Sequence, residues 1–400
     1  MRSRVCVGTL LFCFCFTLLL PRSAWAAEVT EGGLAPTAKS AILVDSDTGT
    51  VLYEKNSRAK LAPASITKIM TMLLLMEALD SQKISYEDTV RISEHAASMG
   101  GSQIYLEPGE KMKLRDLLKG VAVGSANDAS VALAEHIAGT EEAFVEMMNK
   151  RAQELGMTET RFQNPNGLPA SDHYSSARDI AVMSRELMKH PEITQYTRIY
   201  EDYLRKDSKK PFWLVNTNRL VKFYQGLDGL KTGFTAEAKY CLSATAKRGN
   251  FRVIAVVMGE PDVKARNREI SRMLDYAFTQ FTNHVVYKQG DRIDQLTVDK
   301  GMKNRIQIRA PRQFSLLIRK GDDPSQYTRR VVWAKLSAPV KKGQVLGRIL
   351  VEKEGKELAR MDLTAARDIP RADWWTLTKR TMKKMLFLPE DAEPSEENAS

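Results

Sequence analysis

Apolar and polar positions divide the 400-residue chain into four textures. The first is a leader. Arg2 and Arg4 precede an unbroken apolar run from Val5 to Leu20, which Pro21 ends, and Ala24-Trp25-Ala26 follows as a small-x-small site. A basic start, an apolar run of about 16 residues and such a site predict a secretory signal peptide over 1–26, cut after Ala26; a retained anchor normally needs ~20 apolar residues.

The second texture mixes two periods. Ala41–Val44 and Thr50–Tyr53 flank a polar turn and predict a β-hairpin. Ser65–Leu79 is apolar nearly all round, the mark of a buried helix. From Leu114 to about Leu187 the pattern is helical, interrupted by an Asn/Pro/Gly loop over 163–169. Gly229–Thr235, Tyr240–Lys247 and Phe251–Gly259 read as strands, and Arg266–Phe281 as a helix. Strands at both ends of a helical middle predict an α+β domain over 27–282 whose first and last strands share one sheet.

Beyond about 283 short β-rich runs such as Ile306–Ile308, Phe314–Ile318 and Val345–Val351 alternate with turn residues, predicting a small all-β domain over 283–370. Residues 371–388 then form an amphipathic pattern. At about 100° per residue, Trp374, Trp375, Leu377, Met382, Met385, Leu386 and Leu388 share one arc; Lys379, Arg380, Lys383 and Lys384 share the other, and only Phe387 is misplaced. Trp at headgroup depth and lysines facing anionic lipid predict a membrane-surface helix. Residues 389–400, with five acids and no base, read as a solvated acidic tail.

Composition adds three constraints. Hydrophobic residues at 43% and charged residues at 27% exclude a mostly disordered chain. The formal charge of +11 falls to +8 without the leader and points to an anionic partner: nucleic acid, membrane surface or anionic polymer. Cys6, Cys13 and Cys15 lie in the leader, so the mature chain keeps only Cys241, expected as a buried core thiol. The five histidines show no metal-ligand spacing, and neither a P-loop nor a dinucleotide glycine pattern occurs, so no metal or cofactor is expected.

Three short motifs carry candidate chemistry. Ser65 and Lys68 stand at i, i+3 where the apolar helix begins, so the amine can approach the hydroxyl. A lysine kept neutral by burial and a nearby cation can act as base for a serine nucleophile. The unremarkable alternative is a capping Ser and a surface Lys. Ser125-Ala126-Asn127 breaks the helical region as an exposed loop would, or caps the helix that follows. Lys231-Thr232-Gly233 lies in a strand with Gly229 and Gly233 on either side, allowing close approach of a ligand backbone, or it is an edge strand with a solvated lysine.

In this order and spacing the three resemble the Ser-x-x-Lys, Ser-x-Asn and Lys-Thr-Gly set of penicillin-binding proteins and class A β-lactamases. With Leu61–Ser65, Asn164–Leu168, His173–Asp179 and Asp228–Gly233, residues 36–281 are similar to the low-molecular-mass penicillin-binding proteins of the D-alanyl-D-alanine carboxypeptidase family. The resemblance implies a β-lactamase/transpeptidase-like domain with an antiparallel sheet and a helical subdomain. It also implies a serine peptidase that removes the terminal D-alanine of peptidoglycan stem pentapeptides and is acylated by β-lactams. Ser65 then resembles the acylated nucleophile, Lys68 its base and Ser125 the proton shuttle to the leaving amine. Asn127, Lys231, Thr232 and Gly233 resemble the substrate-binding residues, and the backbone N–H groups of Ser65 and of the strand near Phe234 the oxyanion hole. Some family members carry His where Phe234 stands. The implied place is the outer face of the cytoplasmic membrane, facing the wall, with no nucleic-acid partner. Alternatives are an endopeptidase on cross-linked wall peptides, which usually lacks a β-rich tail domain, and a non-catalytic wall-binding protein. A serine β-lactamase is disfavoured because the chain contains no Leu-Asn dipeptide.

Overall fold

The computed structural model describes residues 33–209, 211–302 and 305–386. The expected leader and cleavage site, Phe387, Leu388 and the segment expected as an acidic tail lie outside the described residues.

Five antiparallel strands form the main sheet, in the order Val51–Lys55, Ser40–Asp45, Phe251–Glu260, Lys239–Arg248, Leu227–Thr235. The first and last strands of this sheet in sequence therefore pair at its centre, with Ile42 opposite Val256 and Val44 opposite Ile254. The central strand Phe251–Glu260 is apolar on both faces because both are covered. Ile254 and Val256 join the core under the helical subdomain, while Val253, Ala255 and Val257 pack on helix Val263–Gln280. The two-residue period of a strand produces that division.

Helix Lys68–Asp80 runs through the larger core with Ile69, Met70, Leu73, Leu75 and Met76 all at most 1% exposed. Each buried Leu or Met contributes about 1.5–3 kcal/mol. This all-round burial explains why the segment lacks an amphipathic stripe. Helices Leu114–Lys119, Asn127–Ala138, Glu141–Glu154 and Ala177–Leu187 complete the subdomain. A hairpin of Glu201–Leu204 and Phe212–Val215 packs on the turn Gly120–Gly124; it is short and its pattern was not legible in the sequence.

The tail region starts with strand Phe281–Tyr287, directly after the long helix, and pairs it with Phe314–Arg319. Thr328–Trp333, Val345–Lys353 and Lys356–Thr364 form a second sheet, and Leu316, Ile349, Val351 and Leu363 build a separate core. Side chains fasten the two units. Asn283 donates to Asp45 Oδ1 at 3.0 Å, and Gln313 and Ser315 each donate to Asp47 Oδ2 at 2.9 Å. The last helix among the described residues is Trp374–Met385, capped by Asp373, whose Oδ1 accepts from the Thr376 N–H at 2.7 Å. Among the described residues no helix is long and apolar enough to cross a membrane.

Candidate active site

Ser65 lies in a 3-10 turn, Ala64–Thr67, and the α-helix proper starts only at Lys68. Side chains at i and i+3 eclipse in a 3-10 turn, so the tighter winding sets Lys68 Nζ 3.1 Å from Ser65 Oγ. Lys68 is fully buried, and Nζ also donates to Asn127 Oδ1 at 2.6 Å and to the Asn166 carbonyl. Burial holds its pKa well below the usual lysine value; the charge of Lys231 pushes the same way and Asp128 opposes. A neutral amine has two N–H bonds and one lone pair. The two carbonyl oxygens take the two N–H groups, which leaves the lone pair for the Ser65 hydroxyl proton.

Asn127 was expected in an exposed break or as a helix cap. It is neither. Ser125 and Asn127 are each 4% exposed, and the capping position falls on Ala126 without a side-chain bond. Ser125 closes a π-turn over Gly120–Gly124 in the left-handed conformation, φ +62°. The Asn127 amide spans from Lys68 to the Gly100 carbonyl, to which it donates at 2.7 Å. The neighbouring Asp128 is tied down by the N–H groups of Ile104 and Leu106, each at 3.1 Å from Oδ2. The side chains of Asn127 and Asp128 are thus buried with their polar groups partnered.

The third motif occupies the free edge of the sheet, as the Gly/Lys pattern allowed, but its lysine is not solvated. Lys231 is 1% exposed and donates to the Thr232 carbonyl at 3.1 Å. Burial, then the nearby Arg266 guanidinium, lowers its pKa to about 7. Thr232 Oγ1 donates to Thr217 Oγ1 at 2.7 Å. Gly233 explains itself by contact: a Cβ there would lie 2.8 Å from the Pro63 carbonyl oxygen and 3.2 Å from Ala64 Cβ. Strand and Ser65 turn meet only because position 233 has no side chain. Phe234, the next residue, is 55% exposed and stacks on Tyr240.

Several contributors were not readable as such. The loop over 163–169 was legible as a turn, not as the floor of the site. Thr71 Oγ1 donates to the Pro165 carbonyl at 2.6 Å, and Gly167 (φ +83°) passes so near the Ser65 turn that a Cβ would stand 1.9 Å from Ala64 O. His173 accepts the Gln163 N–H on Nδ1 at 3.0 Å, so its Nε2–H faces Thr67 Oγ1 at 2.8 Å; burial lowers its pKa to about 4 and keeps it neutral. Thr217 and Arg266 carried no sequence signal. Cys241 is free and fully buried, the core thiol expected, with its pKa raised to about 11 by burial.

A nucleophile-and-amine pair in a buried polar pocket beside an edge strand is the architecture of a serine acyl-transfer enzyme. The chain belongs to the D-alanyl-D-alanine carboxypeptidase family, whose model matches residues 27–262, and the C-terminal domain of penicillin-binding protein 5 matches residues 281–371. It is 53% identical to the D-alanyl-D-alanine carboxypeptidase DacF of Bacillus subtilis over 87% of this chain and 90% of that one. It is 35% identical to the carboxypeptidase DacC of Escherichia coli over 88% and 90%. Penicillin-binding protein 5 from Haemophilus influenzae superposes with a TM-score of 0.69 at 34% identity, covering 84% of this chain and 98% of that one. Penicillin-binding protein D2 from Listeria monocytogenes, solved in its ampicillin-bound form, gives 0.55 at 31% identity over 60% and 98%.

Proposed function

We propose that Ser65 is the residue acylated when this enzyme, a serine-type D-Ala-D-Ala carboxypeptidase, removes the terminal D-alanine from wall stem peptides. The observation that carries this reading is the buried Lys68 amine, 3.1 Å from Ser65 Oγ, whose pKa burial pushes well below the usual lysine value. Lys68 takes the hydroxyl proton as Ser65 Oγ attacks the penultimate D-alanine carbonyl. The backbone N–H groups of Ser65 and Phe234 receive the developing oxyanion. Ser125 relays that proton from the Lys68 ammonium to the departing D-alanine amine, and water, giving a proton to the neutral Lys68 amine, then hydrolyses the ester; the Lys68 proton returns to Ser65 Oγ. Asn127 holds the peptide amide. Lys231 and Thr232 take the terminal carboxylate, and Gly233 leaves room for the peptide backbone.

β-Lactams bind at the same place, since they present an acylating carbonyl and a carboxylate in the same relation. Incubation with benzylpenicillin followed by proteolysis and mass spectrometry should give one adduct, on the peptide containing Ser65. An adduct on any other peptide, or none, overturns the assignment of the nucleophile.

The same reading places the enzyme outside the cytoplasm, exported by the leader 1–26 and held on the membrane surface by its last helix. Its support is exposure: Trp374 is 73%, Trp375 55%, Met382 59% and Met385 75% exposed, so these side chains stand largely uncovered among the described residues. Arg380, on the opposite arc, donates to the carbonyls of Gly301 and Met302 at 2.7 and 2.6 Å, which turns the Trp face outward. Truncation before Asp373 should release the enzyme from membranes while leaving penicillin binding intact. A truncated protein that still pellets with membranes places the anchor elsewhere.

A further inference from the structure

Beside the catalytic residues, and not including them, lies a cavity of about 870 Å³. Its walls are the segment Lys60–Ala62 leading to Ser65, the loop Pro169–Tyr174, the turn after the edge strand, and the start of strand Ser40–Asp45. Its charged lining is mixed: Asp172 and Glu237 against Lys39 and Lys60. All four are exposed and, among the described residues, none forms an ion pair with another charged residue; Lys60 rests over the Tyr174 ring at 4.7 Å. Charges of both signs held apart around one hollow leave each available to a ligand.

The geometry of the site directs a substrate there. Strand Leu227–Thr235 is the edge of its sheet, so an extended peptide can pair with it. The terminal carboxylate belongs at Lys231 and Thr232, and the reacting carbonyl at Ser65, whose chain neighbours Ala64 and Ile66 pack against Gly233. Going from carboxylate to reacting carbonyl therefore leads from Lys231 towards Thr235. The peptide continues in that direction at about 3.3 Å per residue. The residue before D-Ala-D-Ala then lies near Thr235, at the turn Ala236–Ala238 that carries Glu237 into the cavity.

We infer that this cavity receives the side chain of the residue preceding D-Ala-D-Ala, and that it suits a side chain ending in both an ammonium and a carboxylate. Glu237 and Asp172 face the ammonium; Lys39 and Lys60 face the carboxylate. A diaminodicarboxylic residue such as meso-diaminopimelate satisfies both pairs. A lysine residue satisfies the acids alone and brings its ammonium near two lysines. The inference rests on the carboxypeptidase reading above.

The test uses the full chain and three peptides, D-γ-glutamyl-X-D-Ala-D-Ala, with X as meso-diaminopimelate, lysine or norleucine, and measures D-alanine release. Exposed charge pairs each change binding by a few-fold. The diaminopimelate peptide should therefore exceed the norleucine peptide in kcat/KM by about tenfold, with lysine between them. Glu237→Gln and Lys39→Met should each remove about threefold of that preference. Both should leave the norleucine peptide and penicillin acylation within about twofold of wild type, because neither residue touches the reacting atoms. Equal turnover of the three peptides, a preference for lysine over diaminopimelate, or a diaminopimelate preference unchanged in both variants overturns the inference. Those results with a norleucine peptide that is still hydrolysed leave the carboxypeptidase reading standing. Failure of wild type on all three peptides and on penicillin refutes that reading itself.

Discussion

Lys68→Ala should lower the rate of Ser65 acylation, by substrate and by penicillin alike, about 10²–10⁴-fold, the range that a positioned base supplies. The substitution also strips Asn127 Oδ1 and the Asn166 carbonyl of their donor, at about 1–3 kcal/mol for each group left unsatisfied. A lower melting temperature is expected alongside the loss of rate, and cooperative thermal unfolding is the control for folding. Lys68→Arg separates the two effects. A guanidinium keeps donors for the two carbonyls yet stays protonated in proteins, so it cannot accept the hydroxyl proton. It should acylate as poorly as the alanine variant. Wild-type acylation kinetics in either variant sink the assignment of Lys68 as base.

Lys231 should impose the opposite pH dependence. Its pKa of about 7 in the free enzyme means that the cation needed for a substrate carboxylate is lost as pH rises through that value. Lys68 must be neutral to act, so its own titration works on the acid side: activity rises as pH climbs through its depressed pKa. The profile of kcat/KM should be a bell whose alkaline limb belongs to Lys231. Lys231→Arg keeps the charge at all accessible pH and should move that limb upward out of range, with part of the activity retained. Lys231→Ala removes the charge altogether and should cost about 10²-fold or more in kcat/KM at neutral pH, as truncation of one partner in a buried charge pair does. An arginine variant whose alkaline limb stays in place would show that another group sets it.

Much of the fold was legible along the chain because its signals are local. The hairpin around Asp45–Gly49, the three strands between residues 227 and 260, and the long helix that follows each declare their own period and turn residues. Their bounds shifted by a few residues, the helix starting at Val263 rather than Arg266, since end residues are decided by capping: the Asp262 side chain accepts from the Ala265 N–H at 2.8 Å. The hairpin Glu201–Leu204 with Phe212–Val215 went unread because four-residue strands carry too short an alternation to distinguish from a loop.

The site divides in the same way. Sequence alone determined which residue types stood ready: a serine three positions before a lysine, a Ser-x-Asn, and a Lys-Thr-Gly with glycine where a backbone must pass. It left each motif with an ordinary alternative, because spacing along one element says nothing of what faces it from another. Tertiary structure decided between them. Burial made Lys68 and Lys231 poor cations, which no composition or period could reveal, since solvation depends on everything packed around a group. Asn127 became a partner of Lys68 across 59 residues of chain instead of a helix cap. The floor from Pro165 to Gly167, Thr217 beside Thr232 and Arg266 behind Lys231 joined from distant segments. Contacts between residues far apart in the chain exist only once the sheet has closed, so they are a property of the fold and leave no local trace.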